Sequence, residues 1–233
     1  MRVGDAFDQW AAEGRDRGME SRHWHTARQA LREMPVEAGD VVLDLGSGSG
    51  YAARALRRRG ADRAYGVDRS LEMAANARAY TDDDGVSFLR GDFAHLPFPD
   101  AAIDHAFSME AFYYAADPPA VLDEVRRVLR SGGTFYCAVD YYAENEYAHG
   151  WEEATGLDLT LWSRAEYRAA LRDAGFAVAA QRQLADRETD IPPEPCFPYR
   201  SGESTVFETR DEMVERYRDL GTLLTVGVAP AGP

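Results

Sequence analysis

Acidic side chains in this chain sit where apolar runs break off. Val41-Val42-Leu43-Asp44-Leu45 runs into Gly46-Ser47-Gly48-Ser49-Gly50. Ala64-Tyr65-Gly66-Val67 ends on Asp68, Val86-Ser87-Phe88-Leu89 leads to Gly91-Asp92, and Ile103 to Phe107 leads to Ser108-Met109-Glu110. A carboxylate can accept from a pair of hydroxyls or from an amine, and Glu110 is placed to take a proton from either kind of group. Glycines along a loop let the backbone come close to a ligand and turn its N–H groups toward it.

The elements that must position these residues follow from the apolar pattern. Short strands are expected at 41–45, 64–68, 86–89, 103–109, 134–139, 176–184 and 221–228. Helices are expected at 20–34, at 51–59 after the glycine loop, and from Ser70. A further helix begins at Asp117-Pro118 and stops at Gly132-Gly133. Capping boxes open two more at Ser163-Arg164-Ala165-Glu166 and at Thr209 to Glu212. Ala143 to Leu161 and Thr189 to Ser204 read as irregular insertions. Alternating strands and helices imply an α/β fold with a mostly parallel sheet and helices on both faces. Ligands of such sheets lie beyond the carboxyl ends of the strands, so the acids converge there.

The glycine spacing narrows the ligand. A dinucleotide fingerprint G-x-G-x-x-G would need its third glycine at position 51, which is Tyr51. Asp68 lies 18 residues beyond Gly50, near the roughly 20 at which an acid meets a ribose. Asp92 is suited to an exocyclic adenine amine, with Phe93 against the ring. Asp44 with Gly46, Gly48 and Gly50 resembles motif I of the class I S-adenosylmethionine methyltransferases. Gly91-Asp92-Phe93-Ala94-His95-Leu96-Pro97-Phe98 resembles that family's G-D-x-x-x-L-P-F segment, and Ile103 to Glu110 its fourth strand. Glu124 to Gly133 resembles its E-x-x-R-V-L-x-P-G-G helix end, with Ser131 in place of the usual proline. Leu171 to Phe176 resembles its L-x-x-A-G-F turn. Together these point to the small-molecule branch that includes ubiquinone/menaquinone-type enzymes.

The resemblance implies a Rossmann-like seven-stranded sheet whose last strand is antiparallel. It implies S-adenosyl-L-methionine over Gly46, Ser47, Gly48 and Gly50, with ribose at Asp68. Adenine would lie near Arg69, Asp92 and Phe93, and the methionine part near Asp44, Ser108 and Met109. A lid at Trp10 to His25 would offer Arg15, Met19, His23 or His25 to the methionine part, and His25 is taken as the contact. Glu110 and Tyr113 are the candidate catalytic groups, acting on a small-molecule acceptor. The chain reads as one methyltransferase domain over 1–233: a helical lid at 1–35, a cofactor-binding half at 36–140 and a substrate-side half at 141–233. A non-catalytic binder of the same cofactor, or an NAD(P)-linked oxidoreductase, are the competing readings.

Composition bounds the rest. The 233 residues carry a formal charge of −14, with 40 acids against 26 bases, and every base is arginine. That balance disfavours bulk nucleic-acid binding. No apolar run is long enough to span a membrane, and Met1 to Trp10 lacks an apolar signal core, which reads as cytoplasmic. Cys137 and Cys196, with five scattered histidines, offer no metal site. Oligomeric state is left open. The acid excess fits a salt-adapted protein of halophilic type, whose carboxylate repulsion is screened by salt. Melting temperature is therefore expected to climb from low to multimolar KCl; equal stability across that series would remove the salt-adaptation reading.

Overall fold

The computed structural model describes residues 2–201 and 204–230. The chain runs α1 (Val3–Ala12), α2 (Asp16–Glu33), β1 (Val41–Leu45), α3 (Tyr51–Arg58), β2 (Arg63–Asp68), α4 (Leu71–Ala79), β3 (Val86–Arg90) and β4 (Ile103–Met109). It continues through α5 (Pro118–Val128), β5 (Leu129–Val139), α6 (Trp151–Thr155), α7 (Arg164–Asp173) and β6 (Ala177–Leu184). A small hairpin follows, β7 (Tyr199–Ser201) and β8 (Ser204–Phe207), then α8 (Arg210–Val214), a π-helical stretch at Glu215–Leu220, and β9 (Thr222–Val228).

The main sheet has seven strands in the order β3-β2-β1-β4-β5-β9-β6. β9 lies antiparallel to both β5 and β6, and the other pairs are parallel. The expected Rossmann-like architecture is thus present, with the last strand reversed. β1 sits between β2 and β4, so the loops leaving β1 and β4 part on opposite sides and open a crevice at their carboxyl ends. Register brings the polar residues level there: Asp44 faces Gly66 on one side and Phe107 on the other, and Leu45 faces Ser108.

Alternation along β1 explains the two layers of helices. Leu43 and Leu45 point into a core shared with Val121, Leu122 and Val125 of α5. Val42 points the other way, into a core built from Ala27, Ala30 and Leu31 of α2 and Ala52, Ala53 and Leu56 of α3. Small alanines on that face let α2 and α3 lie close on the sheet. Among the described residues no helix is long and apolar enough to cross a membrane.

Four features differ from expectation. α5 ends at Val128, and the chain enters β5 at Leu129 rather than continuing to Gly132-Gly133. Leu129 already pairs with Ile103, and the surplus residues are absorbed by a register shift between Ile103 and His105. α2 starts at Asp16, four residues before the expected start at 20, and α1 precedes it. The proline-rich insertion contains β7, whose hairpin partner β8 begins where the insertion was expected to end, and the other insertion contains α6. Both expected capping boxes are formed, at Ser163/Glu166 and Thr209/Glu212.

Ser70 joins α1 to the sheet layer. Its hydroxyl accepts from Met73 N at 3.0 Å to cap α4, and donates to Asp8 Oδ1 of α1 at 2.6 Å. Asp8 also accepts from Glu72 N at 3.1 Å. Ser70→Ala removes the cap and the tie together. Its urea midpoint is expected to fall by the equivalent of about 1–2 kcal/mol.

Candidate functional site

β1 ends at Leu45, and the chain turns through Gly46, Gly48 and Gly50 with φ of +75°, +48° and +80°. The Gly46 and Ser47 amides both donate to Val67 O of β2, at 2.8 and 3.2 Å, which folds the loop across the sheet end. Gly46 and Gly50 are required by contact as well as by φ: a Cβ on Gly46 would collide with Ala111 Cβ, and one on Gly50 with the Phe88 ring. Gly48 has open space beside it. The Ala53 amide in the first turn of α3 donates to Asp44 Oδ2 at 3.1 Å, so this end of the helix is capped from within by the strand.

Asp68 holds the other side of the loop. Its Oδ2 accepts from Gly48 N and its Oδ1 from Ser70 N, both at 2.9 Å. Burial pushes its carboxyl up to about 6, against the amides of Ser70, Gly48 and Arg69. Asp44 is more strongly desolvated and is pushed up to about 7. Asp92 behaves oppositely. Its partial burial raises its carboxyl, but the Ala94 amide at 3.1 Å and Arg69 at 2.7 Å outweigh this and hold it below the usual range.

These groups face one cavity enclosing about 1170 Å³ of empty space, mouth included. Its floor is the strand ends, with Asp44, Gly46, Ser47, Gly48, Asp68 and Met109. Arg69, Asp92 and Phe93 stand at one side and Glu110 at the other. Its roof is the N-terminal helices, through Phe7 of α1 and Asp16, Met19, Glu20 and His23 of α2. The roof is tied down by Ser49 Oγ, which donates to Glu20 Oε2 at 2.7 Å. The lining residues run from Val3 to Val121 in the chain.

Glu110 follows β4 in the left-handed region, with φ of +53°, a conformation unfavourable for a residue with a Cβ. It is held there by its own amide, which donates to Ala138 O at 2.9 Å. Glu110 Oε1 accepts from the Asp140 amide, and Oε2 accepts from the Tyr113 hydroxyl at 3.0 Å. Burial, reinforced by the Asp140 charge, pushes Glu110 well above the ordinary carboxylate range.

Four expected site residues lie off the cavity. Gly50 sits beneath the loop against Phe88. Ser108 is buried in β4, with a hydroxyl that has no partner. His25 faces away and meets Asp186, Nδ1 to Oδ1 at 3.2 Å. His23 lines the cavity instead, and its burial lowers its imidazole to about 4. Tyr113 is buried behind Glu110, while Tyr114 reaches the cavity with its hydroxyl accepting from Trp151 Nε1 at 2.6 Å. Sequence reading missed Phe7, Asp16 and Glu20. The apolar spacing Val3, Phe7, Trp10 was the available signal for α1. Among the described residues no cluster of His, Cys, Asp and Glu could hold a metal ion.

A model of the methyltransferase domain matches residues 43–137. The sterol 24-C-methyltransferase of Saccharomyces cerevisiae is 30% identical over 169 residues, 67% of this chain and 44% of that protein. The chain therefore spans less than half the length of that relative. Among solved structures it is similar to the candidate methyltransferase in a complex with the Trm112 methyltransferase activator of Haloferax volcanii. There the TM-score is 0.92 and the identity 60%, over 97% of this chain and 98% of that one. The fold is also similar to geranyl diphosphate C-methyltransferase from Streptomyces coelicolor A3(2), with a TM-score of 0.67, 21% identity, and coverage of 88% of this chain and 76% of that one. The curated relative is a sterol enzyme, so the quinone-type branch suggested by the motifs is not confirmed.

The raised Asp44 gives a signed pH effect. Its carboxyl titrates near 3.8 in a solvated chain and at about 7 in the fold, so between those values the native state binds the extra proton. Its contribution to stability rises as pH falls from above 7 toward 4. Asp44→Asn removes the charge at every pH. It is expected to melt higher than the wild type at pH 8, with the gap closing by pH 5 in paired thermal melts.

Proposed function

Because this chain belongs to the class I S-adenosylmethionine-dependent methyltransferases, we propose that it moves the cofactor's methyl group to a small acceptor that is neutral or cationic. The carrying observation is the cavity that brings the glycine cradle, Asp68 and the buried Glu110 together under one roof. What supports the cofactor reading is the open space beside Gly48 and the place of Asp68 against the loop, where a carboxylate would meet ribose hydroxyls. Phe93 offers a face to adenine, and Met109 with Asp44 flanks the methionine part. When bound, S-adenosylmethionine supplies a methyl already activated on a sulfonium.

The chain's own residues align, desolvate and deprotonate. The cavity gathers acids from Asp16 to Asp117, against Arg69 and His23 as its basic residues. Arg69 is engaged by Asp92, and burial keeps His23 uncharged at neutral pH. That field favours a cationic cofactor and repels anionic acceptors such as diphosphates. Val3, Phe7, Tyr114, Ala115 and Val121 supply apolar surface for the acceptor. Glu110 takes the acceptor's proton, since a carboxylate raised by burial is a stronger base near neutrality. Tyr113 orients it. In this reading residues 1–35 are the lid, 36–140 bind the cofactor, and 141–233 brace the acceptor wall from behind.

We also propose that an activator of the Trm112 type binds this chain, supported by 60% identity over nearly the whole of a chain found in such a complex. Co-purification of the two is the direct check.

Calorimetric titration with S-adenosylhomocysteine and transfer of labelled methyl groups into a host extract test the enzyme reading. Glu110→Gln is expected to keep cofactor binding and lower transfer about 10²- to 10⁴-fold. No binding by the wild type would end the cofactor reading, and undiminished transfer by the variant would end the role of Glu110.

A further inference from the structure

The π-helical stretch at Glu215–Leu220 is far from the glycine loop in sequence, yet one of its side chains reaches the back of Glu110. π-Turns inside helices recur at functional sites because they re-aim a side chain. Here the Gly221 amide closes on Arg216 O at 3.0 Å, a five-residue step. Arg216 Nη2 lies 2.5 Å from Asp140 Oδ2, with the two side chains only 13% and 24% exposed. Asp140 Oδ1 accepts from the Thr222 hydroxyl at 2.5 Å. Both carboxylate oxygens of Asp140 are therefore clamped, and its backbone amide is what donates to Glu110 Oε1.

The surroundings leave few charges to act on Glu110. Tyr113 and Tyr114 after β4, Tyr51 of α3, Cys137 of β5 and Tyr167 of α7 ordinarily titrate above neutrality and are raised further by burial, so all are uncharged at pH 7. His23 of α2 is lowered by burial and is uncharged as well. Among the groups named, Asp140 and Arg216 are the charges that bear on Glu110, one repelling its anion and one attracting it. A bare Asp140 behind a buried Glu110 would make two adjacent anions in a desolvated site, which is strongly unfavourable.

We propose that Arg216 is a positioning residue for Glu110: by neutralising and clamping Asp140 it holds the Asp140 amide on Glu110 and lets Glu110 carry negative charge when an acceptor must be deprotonated. This rests on the reading of Glu110 as proton acceptor. It gives the substrate-side half of the chain a definite role at a site whose lining ends at Val121. Arg216 touches neither cofactor nor acceptor; it acts through Asp140.

Titration of carbon-labelled glutamate side chains by NMR, on the full chain, reads Glu110 directly, with Glu110→Gln assigning its signal. Arg216→Gln is expected to weaken the acid dissociation of Glu110 about tenfold, and Arg216→Lys to restore most of it. Asp140→Asn is expected to move it the opposite way, since the repelling charge is gone. Cofactor titrations with all three variants are expected to match the wild type. Signals unmoved in both Arg216→Gln and Asp140→Asn, with folds intact by circular dichroism, would overturn the proposal and leave Arg216 a brace between β9 and β5. If Arg216→Gln does not fold, Asp140→Asn still decides, by whether Glu110 becomes the stronger acid. These shifts are independent of whether Glu110→Gln loses methyl transfer, so the two readings fail separately.

Discussion

One hydrogen bond, from the Gly48 amide to Asp68 Oδ2 at 2.9 Å, fastens the loop after β1 to the end of β2. The cavity floor depends on it. The carboxylate is buried, which disfavours its charged form, and the loop amide partly offsets that cost. A loop that presents its amide there must run through positive φ at Gly46, Gly48 and Gly50, and must pass within contact of Ala111 and Phe88. Glycine spacing and acid position are thus a single constraint: the acid needs the amide, and the amide needs a chain without Cβ atoms.

The same constraint recurs around the floor. Asp44 takes an amide from α3, Asp68 a second from Ser70, and Glu110 one from Asp140. Each of these three acids accepts at least one backbone amide, Glu110 takes the Tyr113 hydroxyl as well, and the arginines pair with other acids, Arg69 with Asp92 and Arg216 with Asp140. Backbone donors are rigid and neutral. They orient the carboxyl groups without placing a cation beside them. The N-terminal helices add Asp16 and Glu20 to the lining, with Phe7 and Met19 beside them.

Much of this was legible in the chain. The strands are short apolar runs bounded by glycines, and a parallel sheet places their last residues on one edge, so Asp44, Asp68, Asp92 and Glu110 could be grouped before any coordinate was known. What was not legible depended on orientation about an axis. His23 and His25 sit about 200° apart on α2, so only one can face the cavity, and the packing of α2 on the sheet selected His23. Tyr113 and Tyr114 are neighbours in a tight helical turn, and the turn's direction sent one behind Glu110 and the other to the cavity. Gly50 and Ser108 belong to the right elements but lie one layer below the surface.

The amino-acid sequence by itself determined the α/β order, the glycine loop and the acids that end each strand, because these follow from local periodicity and from steric limits on single residues. Only the tertiary structure decided which side of each helix meets the ligand, how α1 and α2 roof the site, and that Arg216 stands behind Glu110 through Asp140. Those outcomes come from packing between segments distant in the chain, where the free energy of burying a whole face outweighs any preference a single residue carries.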